Sequence, residues 1–380
     1  MMSGSISRRR ALATGGAALG AAVLAPSLTG AAGAAAAPRR GPREETRTLD
    51  ELYRDAVAEG GKLVIYAGGD VTTQADGVRA GFRAQFPEID LTVVIDYSKF
   101  HDVRIDNQLA TNTLIPDLVQ LQTLQDFTRW KSEGRLLPYK PAGFSKIHPA
   151  FKDEDGAWVA IMVVAFSYMY NTALVGDHAP KTPYEAVDPR WKGQIASTYP
   201  HDDDAALYLY SLYARTYGWD WIARLAAQGV QSNRGSHTAR LALNSGQKAV
   251  GLGGSGSLIA PATDLVRWSV ADGHPFMSWG QRAAILAGAK HPTAAKLYLN
   301  WQLSVARQQA AANGWSVRTD VTPAGGLRPI WEYSNGNLDG FPKFMADRAA
   351  VERWKQTFAL YFGEVKGDPS PGWLGLHPDR

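Results

Sequence analysis

The chain has 380 residues, 45% of them hydrophobic and 20% charged, with 38 glycines, 21 prolines and no cysteine. That length suits two globular lobes. The near-average glycine and proline content excludes collagen-like and low-complexity chains, and without cysteine there is no disulfide, thiolate metal site, cysteine nucleophile or lipidated cysteine. A formal net charge of +4 raises the question of nucleic-acid binding, and the placement of the charges answers it.

Arg8-Arg9-Arg10 precede a stretch from Ala11 to Ala37 that carries no charge and is interrupted by Gly15, Gly16, Gly20, Pro26, Gly30 and Gly33. A positive start, a weakly apolar middle and small-residue options such as Ala32-Gly33-Ala34 follow the order of a cleaved signal peptide. The paired arginines resemble a twin-arginine export signal. The stretch lacks the roughly 20 strongly apolar residues of a spanning helix. Removing three arginines and no acid leaves +1 for the mature chain, which gives no electrostatic footprint for phosphate backbones and sets nucleic acid aside. The expected location is periplasmic or extracellular, without a lipid anchor.

In the mature chain, LDELYRDAVA from Leu49 to Ala58 repeats apolar residues at helical spacing and stops at Gly60-Gly61. Lys62–Ala67 reads as a buried strand, followed by Gly68-Gly69-Asp70, Thr72, Thr73 and a helix through Val78 and Phe82 that ends at Pro87. Leu91–Tyr97 and Ile115–Leu121 are the next strands, each followed by a helix, the first through Ile105 and Leu109 and the second through Phe127 and Trp130. This alternation is the βαβ signature of a parallel sheet, in which ligands bind beyond the carboxyl ends of the strands. The apolar run Val159–Phe166 leading into Ser167–Thr172 predicts either one long buried strand or a crossing between sheets that acts as a hinge. A second series follows: the strand Ile195–Tyr199, helices over Ala205–Tyr217, Trp219–Ala227 and His237–Asn244, and the strand Ala249–Gly253. An extended crossing is predicted over Phe276–Ala287, then a helix over Thr293–Leu303 and a mostly helical tail to about Phe362.

The segments Leu63-Val64-Ile65-Tyr66, Pro116-Asp117-Leu118-Val119, Tyr170-Asn171-Thr172 and Pro180-Lys181-Thr182 through Asp188-Pro189-Arg190-Trp191-Lys192-Gly193-Gln194-Ile195-Ala196 resemble the iron-type group of extracellular solute-binding proteins of ABC importers. Lys290-His291-Pro292-Thr293 resembles that group's late helix, with a proline where helix starts tolerate it. The resemblance runs from about Leu49 to Thr322. It implies an α/β, two-lobed periplasmic-binding-protein fold that closes on a small-molecule ligand and hands it to an ABC permease. The expected layout is a signal peptide at 1–37, a mobile basic tail at 38–48, lobe 1 at 49–165, lobe 2 at 166–280, a return to lobe 1 with a helical C-terminal segment at 281–365, and a tail at 366–380. A monomer without cofactor is expected.

Ferric-binding members of this group hold the metal mainly through adjacent tyrosines, because ferric iron wants anionic oxygen donors. At the matching positions this chain has Gly254 and Ser255, with Asp70 in place of a histidine and Gln122 near the acid position. A glycine and a neutral hydroxyl do not replace two phenolates, so no metal site is expected. Gly253-Gly254-Ser255-Gly256-Ser257, read between a strand and a predicted helix, offers backbone N–H groups that favour an anion. The alternative is a plain turn with serines capping the helix. Thr72 and Thr73 stand opposite in the other lobe. The expected ligand is a small polar or anionic solute bearing a phosphate, phosphonate, carboxylate or sugar group. Arg282 and Trp279 offer a cation and an aromatic wall. Asp202-Asp203-Asp204 precede a helix, where carboxylates cap the N-terminus, and His201 with Asp202 is placed at the rim. The expected ligand-contacting set is therefore Asp70, Thr72, Thr73, Gln122, His201, Asp202, Gly254, Ser255, Ser257 and Arg282. G-x-S-x-G and H-E-x-x-H motifs are absent from the sequence, which favours binding over catalysis. A secreted enzyme or a free-standing scavenger on the same fold is the alternative.

Overall fold

The computed structural model describes residues 41–367; the signal-peptide segment and the ends of both expected tails lie outside the described residues. Nine strands make one mixed sheet: β1 (Lys62–Gly68), β2 (Asp90–Asp96), β3 (Leu118–Leu121), β4 (Val159–Asn171), β5 (Ile195–Thr198), β6 (Gln231–Asn233), β7 (Val250–Ser255), β8 (Val266–Ser269) and β9 (Met277–Ile285). Their spatial order is β2-β1-β3-β9-β4-β7-β5-β6, with β8 pairing β4 off this path. Two parallel groups, β2-β1-β3 at one end and β7-β5-β6 at the other, are joined through β9 and β4, which run antiparallel to each other and to their neighbours β3 and β7.

Helices cover both parallel groups, which is why β1, β2 and β3 read as mostly apolar runs, while β6 at the outer edge is polar and half-buried. Leu63 and Ile65 of β1 and Leu91 and Val93 of β2 face one core, shared with Phe82, Leu297, Tyr298 and Trp301 from helices. Tyr66, Val94, Val119 and Leu121 face the other side, packing with Ile105, Phe127 and Trp130. A third core gathers Ile195, Val250 and Leu252 with Leu207, Tyr210 and Tyr213 of the helix Asp204–Tyr217.

The long apolar run resolves as one 13-residue strand that changes partners. Its first part, Val159–Phe166, pairs with β9; its last part pairs with β7 and β8, and the ladder slips between Ser167 and Tyr168. β4 therefore belongs to both halves, and only β9 runs beside it between them.

The helix Leu49–Ala58 opens on a capping box, Thr48 and Glu51 satisfying each other's backbone N–H groups, and packs against the helix Pro292–Gln302. Residues 41–48, expected to be mobile, are tied down: Glu44 accepts from the Gly143 amide at 2.6 Å and Glu45 from the Tyr139 hydroxyl at 2.9 Å. The helices Gly340–Ala346 and Arg348–Phe362 place Phe341, Phe344, Met345, Val351 and Phe358 in the Leu207–Tyr213 core. The helix Pro292–Gln302 thus packs on the β2-β1-β3 half, while the last two helices pack mainly on the β7-β5-β6 half, Gly340–Ala346 also touching the helix Leu124–Ser132. Among the described residues no helix is long and apolar enough to cross a membrane.

Candidate ligand-binding cleft

The carboxyl ends of the parallel strands of both halves point into one cavity of about 120 Å³. β1 delivers Gly68, Gly69 and Asp70; the segment after β2 delivers Tyr97, Ser98 and Lys99; the end of β3 delivers Gln122 and Thr123. From the other half, the segment after β5 delivers Asp202, Asp203 and Asp204, the segment after β6 delivers Ser236, and β7 delivers Ser255. The back wall comes from the two shared strands. Met162, Val164 and Phe166 sit at alternate positions of β4, as side chains on one sheet face must, beside Trp279 and Gln281 of β9. Phe166 meets Trp279 edge to face at 5.2 Å, and the Trp279 indole N–H donates to Gln281 Oε1 at 3.1 Å.

Gly68 has to be glycine: a Cβ there would collide with the Ser98 hydroxyl, and that hydroxyl accepts from the Gln122 amide at 2.9 Å. The close approach draws the ends of β1, β2 and β3 together.

Three polar bridges span the cavity. Asp70 Oδ2 accepts from the Ser236 amide at 2.8 Å, the Ser236 hydroxyl at 2.6 Å and the His237 amide at 3.3 Å. Lys99 Nζ donates to Asp202 Oδ1 at 2.6 Å and to its backbone oxygen at 2.7 Å, while Arg234 holds Asp202 Oδ2 at 3.0 Å from behind. Gln122 Nε2 reaches Asp203 Oδ1 at 3.4 Å.

Asp203 is the N-cap of the helix Asp204–Tyr217, its Oδ1 accepting from the Ala205 and Ala206 amides at 2.8 and 2.9 Å. Burial, and then the charge of Asp70, push its carboxyl up to about 7, against the lowering pull of the Ala206 amide. Burial also works to raise Asp70, but its contacts with His237 and Ser236 outweigh it and hold that carboxyl below the ordinary aspartate range. Burial, Asp70 and Asp202 raise the Tyr97 phenol, which stays protonated at neutral pH.

Of the residues expected from sequence to touch a ligand, Asp70, Gln122, Asp202 and Ser255 line this cavity. Thr72 and Thr73 are exposed on a 3-10 turn, Thr72–Ala75, outside the lining. The His201 ring packs 5.5 Å from Tyr199 and lies outside the lining as well. Gly254 sits behind the wall. It pairs with Ser167, its oxygen accepts from the Trp268 indole at 3.0 Å, and a Cβ there would come within 2.8 Å of Met169 Cε and 3.0 Å of the Ser236 oxygen. Ser257 accepts from the Ile259 amide at 3.2 Å. Arg282 is buried on the far side of β9, its guanidinium 3.7 Å from the Trp158 ring centre and donating to the Leu124 oxygen at 2.5 Å. Burial lowers its pKa to about 10.

The expected anion loop is corrected. β7 continues to Ser255 and no helix follows Ser257; the chain turns and forms β8. Backbone N–H groups at a helix start are therefore not presented there. Tyr97, Lys99, Thr123, Ser236 and Gln281 were not singled out from sequence. Tyr97 and Lys99 stand at the end of the strand Leu91–Tyr97 and Thr123 just after Ile115–Leu121, beyond strand ends where a ligand was expected, so the topology carried a signal for them; Ser236 and Gln281 carried none. Among the described residues no group of three or more His, Asp or Glu is placed to hold a metal ion.

Residues 115–270 match the family described as bacterial extracellular solute-binding protein. No curated protein sequence is significantly similar to the chain. Among solved structures, iron-bound HitA from Pseudomonas aeruginosa is 17% identical and superposes with a TM-score of 0.60, over 78% of this chain and 99% of that one. The periplasmic binding protein AfuA from Actinobacillus pleuropneumoniae, with fructose-6-phosphate bound, is 18% identical with a TM-score of 0.63, over 80% of this chain and 99% of that one. A periplasmic thiamin binding protein is 18% identical with a TM-score of 0.61, over 80% of this chain and 96% of that one. The fold is thus the mixed α/β, two-lobed fold of periplasmic binding proteins, and the matched family and these neighbours are binding proteins rather than enzymes.

Proposed function

We propose that this chain, whose central segment is that of a bacterial extracellular solute-binding protein, is exported, captures a small solute between two lobes and delivers it to an ABC permease. The observation that carries the reading is the convergence of strand ends from both halves on one cavity bridged by Asp70–Ser236, Lys99–Asp202 and Gln122–Asp203. A cavity whose two sides come from different halves opens and shuts as those halves move, which is how lobe closure traps a ligand and creates a surface for a partner to read. The lobes we assign are 49–165 with the helix Pro292–Gln302, and 166–280 with the helices that end at Phe362. β4 and β9 act as the hinge. The chain works as a monomer.

A ferric tyrosinate is not part of this reading, since Gly254 and Ser255 occupy the tyrosine positions. Export follows from the arginine-led N-terminal segment, whose twin arginines direct a folded protein outward.

Native mass spectrometry with elemental analysis of protein purified from its secreted form tests the proposal. One equivalent of an organic small molecule, without stoichiometric iron, is the expected result. Stoichiometric iron refutes the metal-free site, and chemical turnover of the bound molecule refutes simple capture.

A further inference from the structure

Several polar atoms that line the cavity make no hydrogen bond among the described residues, and the carboxylate oxygens among them can only accept. Every hydrogen bond made by the Asp70 and Asp203 side chains falls on one oxygen each, Oδ2 and Oδ1 respectively. Their second oxygens have no partner among the described residues. Asp70 and Asp203 line the same cavity from its two sides. Thr123 lines the same cavity, is 3% exposed, and its Oγ1 has no hydrogen-bond partner among the described residues. A buried hydroxyl left unpaired costs about 1–3 kcal/mol, so one held in the wall of a ligand cavity points to a partner that arrives with the ligand. Phe166 and Trp279 form an aromatic wall beside these atoms.

The lining is acidic as well. Asp70, Asp202, Asp203 and Asp204 stand against a single cation, Lys99. Arg234 and, at 3.1 Å, Lys355 offset Asp202 and Asp204 from outside. Asp70 and Asp203 are satisfied on one side only, mostly by neutral donors. The features that suit an anion are Lys99, the Tyr97 hydroxyl and the start of the helix Ser98–Thr111, which no side chain caps. Lys99 is already bound twice by Asp202, so an anion entering there has to break that ion pair and then sit beside unbalanced carboxylates.

We infer that the cavity takes an organic cation bearing N–H donors on a flat or apolar body, its donors on Asp70, Asp203 and Thr123 and its body against Phe166 and Trp279. This rests on the solute-capture reading and replaces the phosphate-, carboxylate- or sugar-bearing ligand expected from sequence. A cation over an aromatic face gains about 0.5–2 kcal/mol as it is desolvated, and carboxylates supply the charge-assisted bonds that a phosphate would lose. A metal ion does not suit the site, because no three donor side chains converge on one point among the described residues.

The test is calorimetric titration of the full mature protein with thiamin, spermidine, fructose 6-phosphate, inorganic phosphate and ferric citrate, each checked by thermal melting. Saturable binding of thiamin or spermidine is expected, weakened at least tenfold by Asp203→Asn and severalfold by Thr123→Val. Asparagine still caps the helix and valine matches threonine in shape, so both variants keep the fold and report on the ligand. If neither cation binds, or if a cation binds equally well to both variants, the inference is overturned. Tight binding of fructose 6-phosphate or phosphate overturns it too while leaving solute capture intact; loss of the ligand by turnover would instead remove the capture reading.

Discussion

Asp203 shows how one residue serves two purposes that pull its charge in opposite directions. As an N-cap it is best ionised; buried beside Asp70 and Asp204 it is best neutral, and its carboxyl rises to about 7. The unfolded value is near 3.9, so the raised folded value means full stability below about pH 4 and a loss as pH climbs toward 7. In ligand-free protein Asp203→Asn should therefore raise stability at pH 8 by about 1–2 kcal/mol and change little at pH 4; melts at the two pH values check this. Arg282 carries the opposite lesson. Its guanidinium is buried against Trp158 and makes its one hydrogen bond to the Leu124 oxygen, so its role is packing. Arg282→Ala should lower stability by about 2–4 kcal/mol through the lost packing and the void it leaves. The affinity of the folded fraction for its ligand should stay within a factor of about two, an expectation that chemical denaturation and calorimetry separate cleanly.

At the scale of the elements, the sequence was most readable where periodicity and burial agree. Leu49–Ala58, Trp219–Ala227 and His237–Asn244 have the same limits in both readings, because each carries an apolar stripe bounded by a stop signal. β6 (Gln231–Asn233) and β8 (Val266–Ser269) were invisible: three polar residues carry no apolar pattern, and Val-Arg-Trp-Ser alternates apolar and polar over only four residues, so both depend on the partners that neighbouring strands supply. Gly254 misled for a physical reason. Glycine next to serine reads as a turn, yet here the missing Cβ makes room for Met169 and for the Ser236 oxygen. Gly254→Ala should cost about 1–3 kcal/mol through overpacking. By shifting Ser236 it should also weaken the Asp70 bridge, so the variant should lose affinity as well as stability. A variant that loses stability with affinity unchanged would place Gly254 in packing alone.

At the scale of the whole molecule, the proposed function depends on the balance between open and closed lobes, which the bridges would set. The two-lobe plan was legible because two βα series flank one long apolar strand. The set of residues that meet across the cavity was not, since Lys99 and Asp202, or Asp70 and Ser236, are brought together only by how the two series face each other. Lys99–Asp202 is the bridge whose loss can be read most simply. Asp202 keeps Arg234 at 3.0 Å when Lys99 is removed, so Lys99→Met leaves no unpaired buried charge and should change folding stability by less than about 1 kcal/mol. The closed form, however, loses an attraction that the open form does not make. A closed state disfavoured by about 1 kcal/mol lowers apparent affinity about fivefold if closure is required for tight binding, because only the closed fraction holds ligand. Small-angle scattering of the ligand-free variant should show a larger radius of gyration than the parent, and saturating ligand should bring the two together. Equal radii without ligand, combined with a fivefold affinity loss, would mean that Lys99 acts on the ligand directly and not on closure.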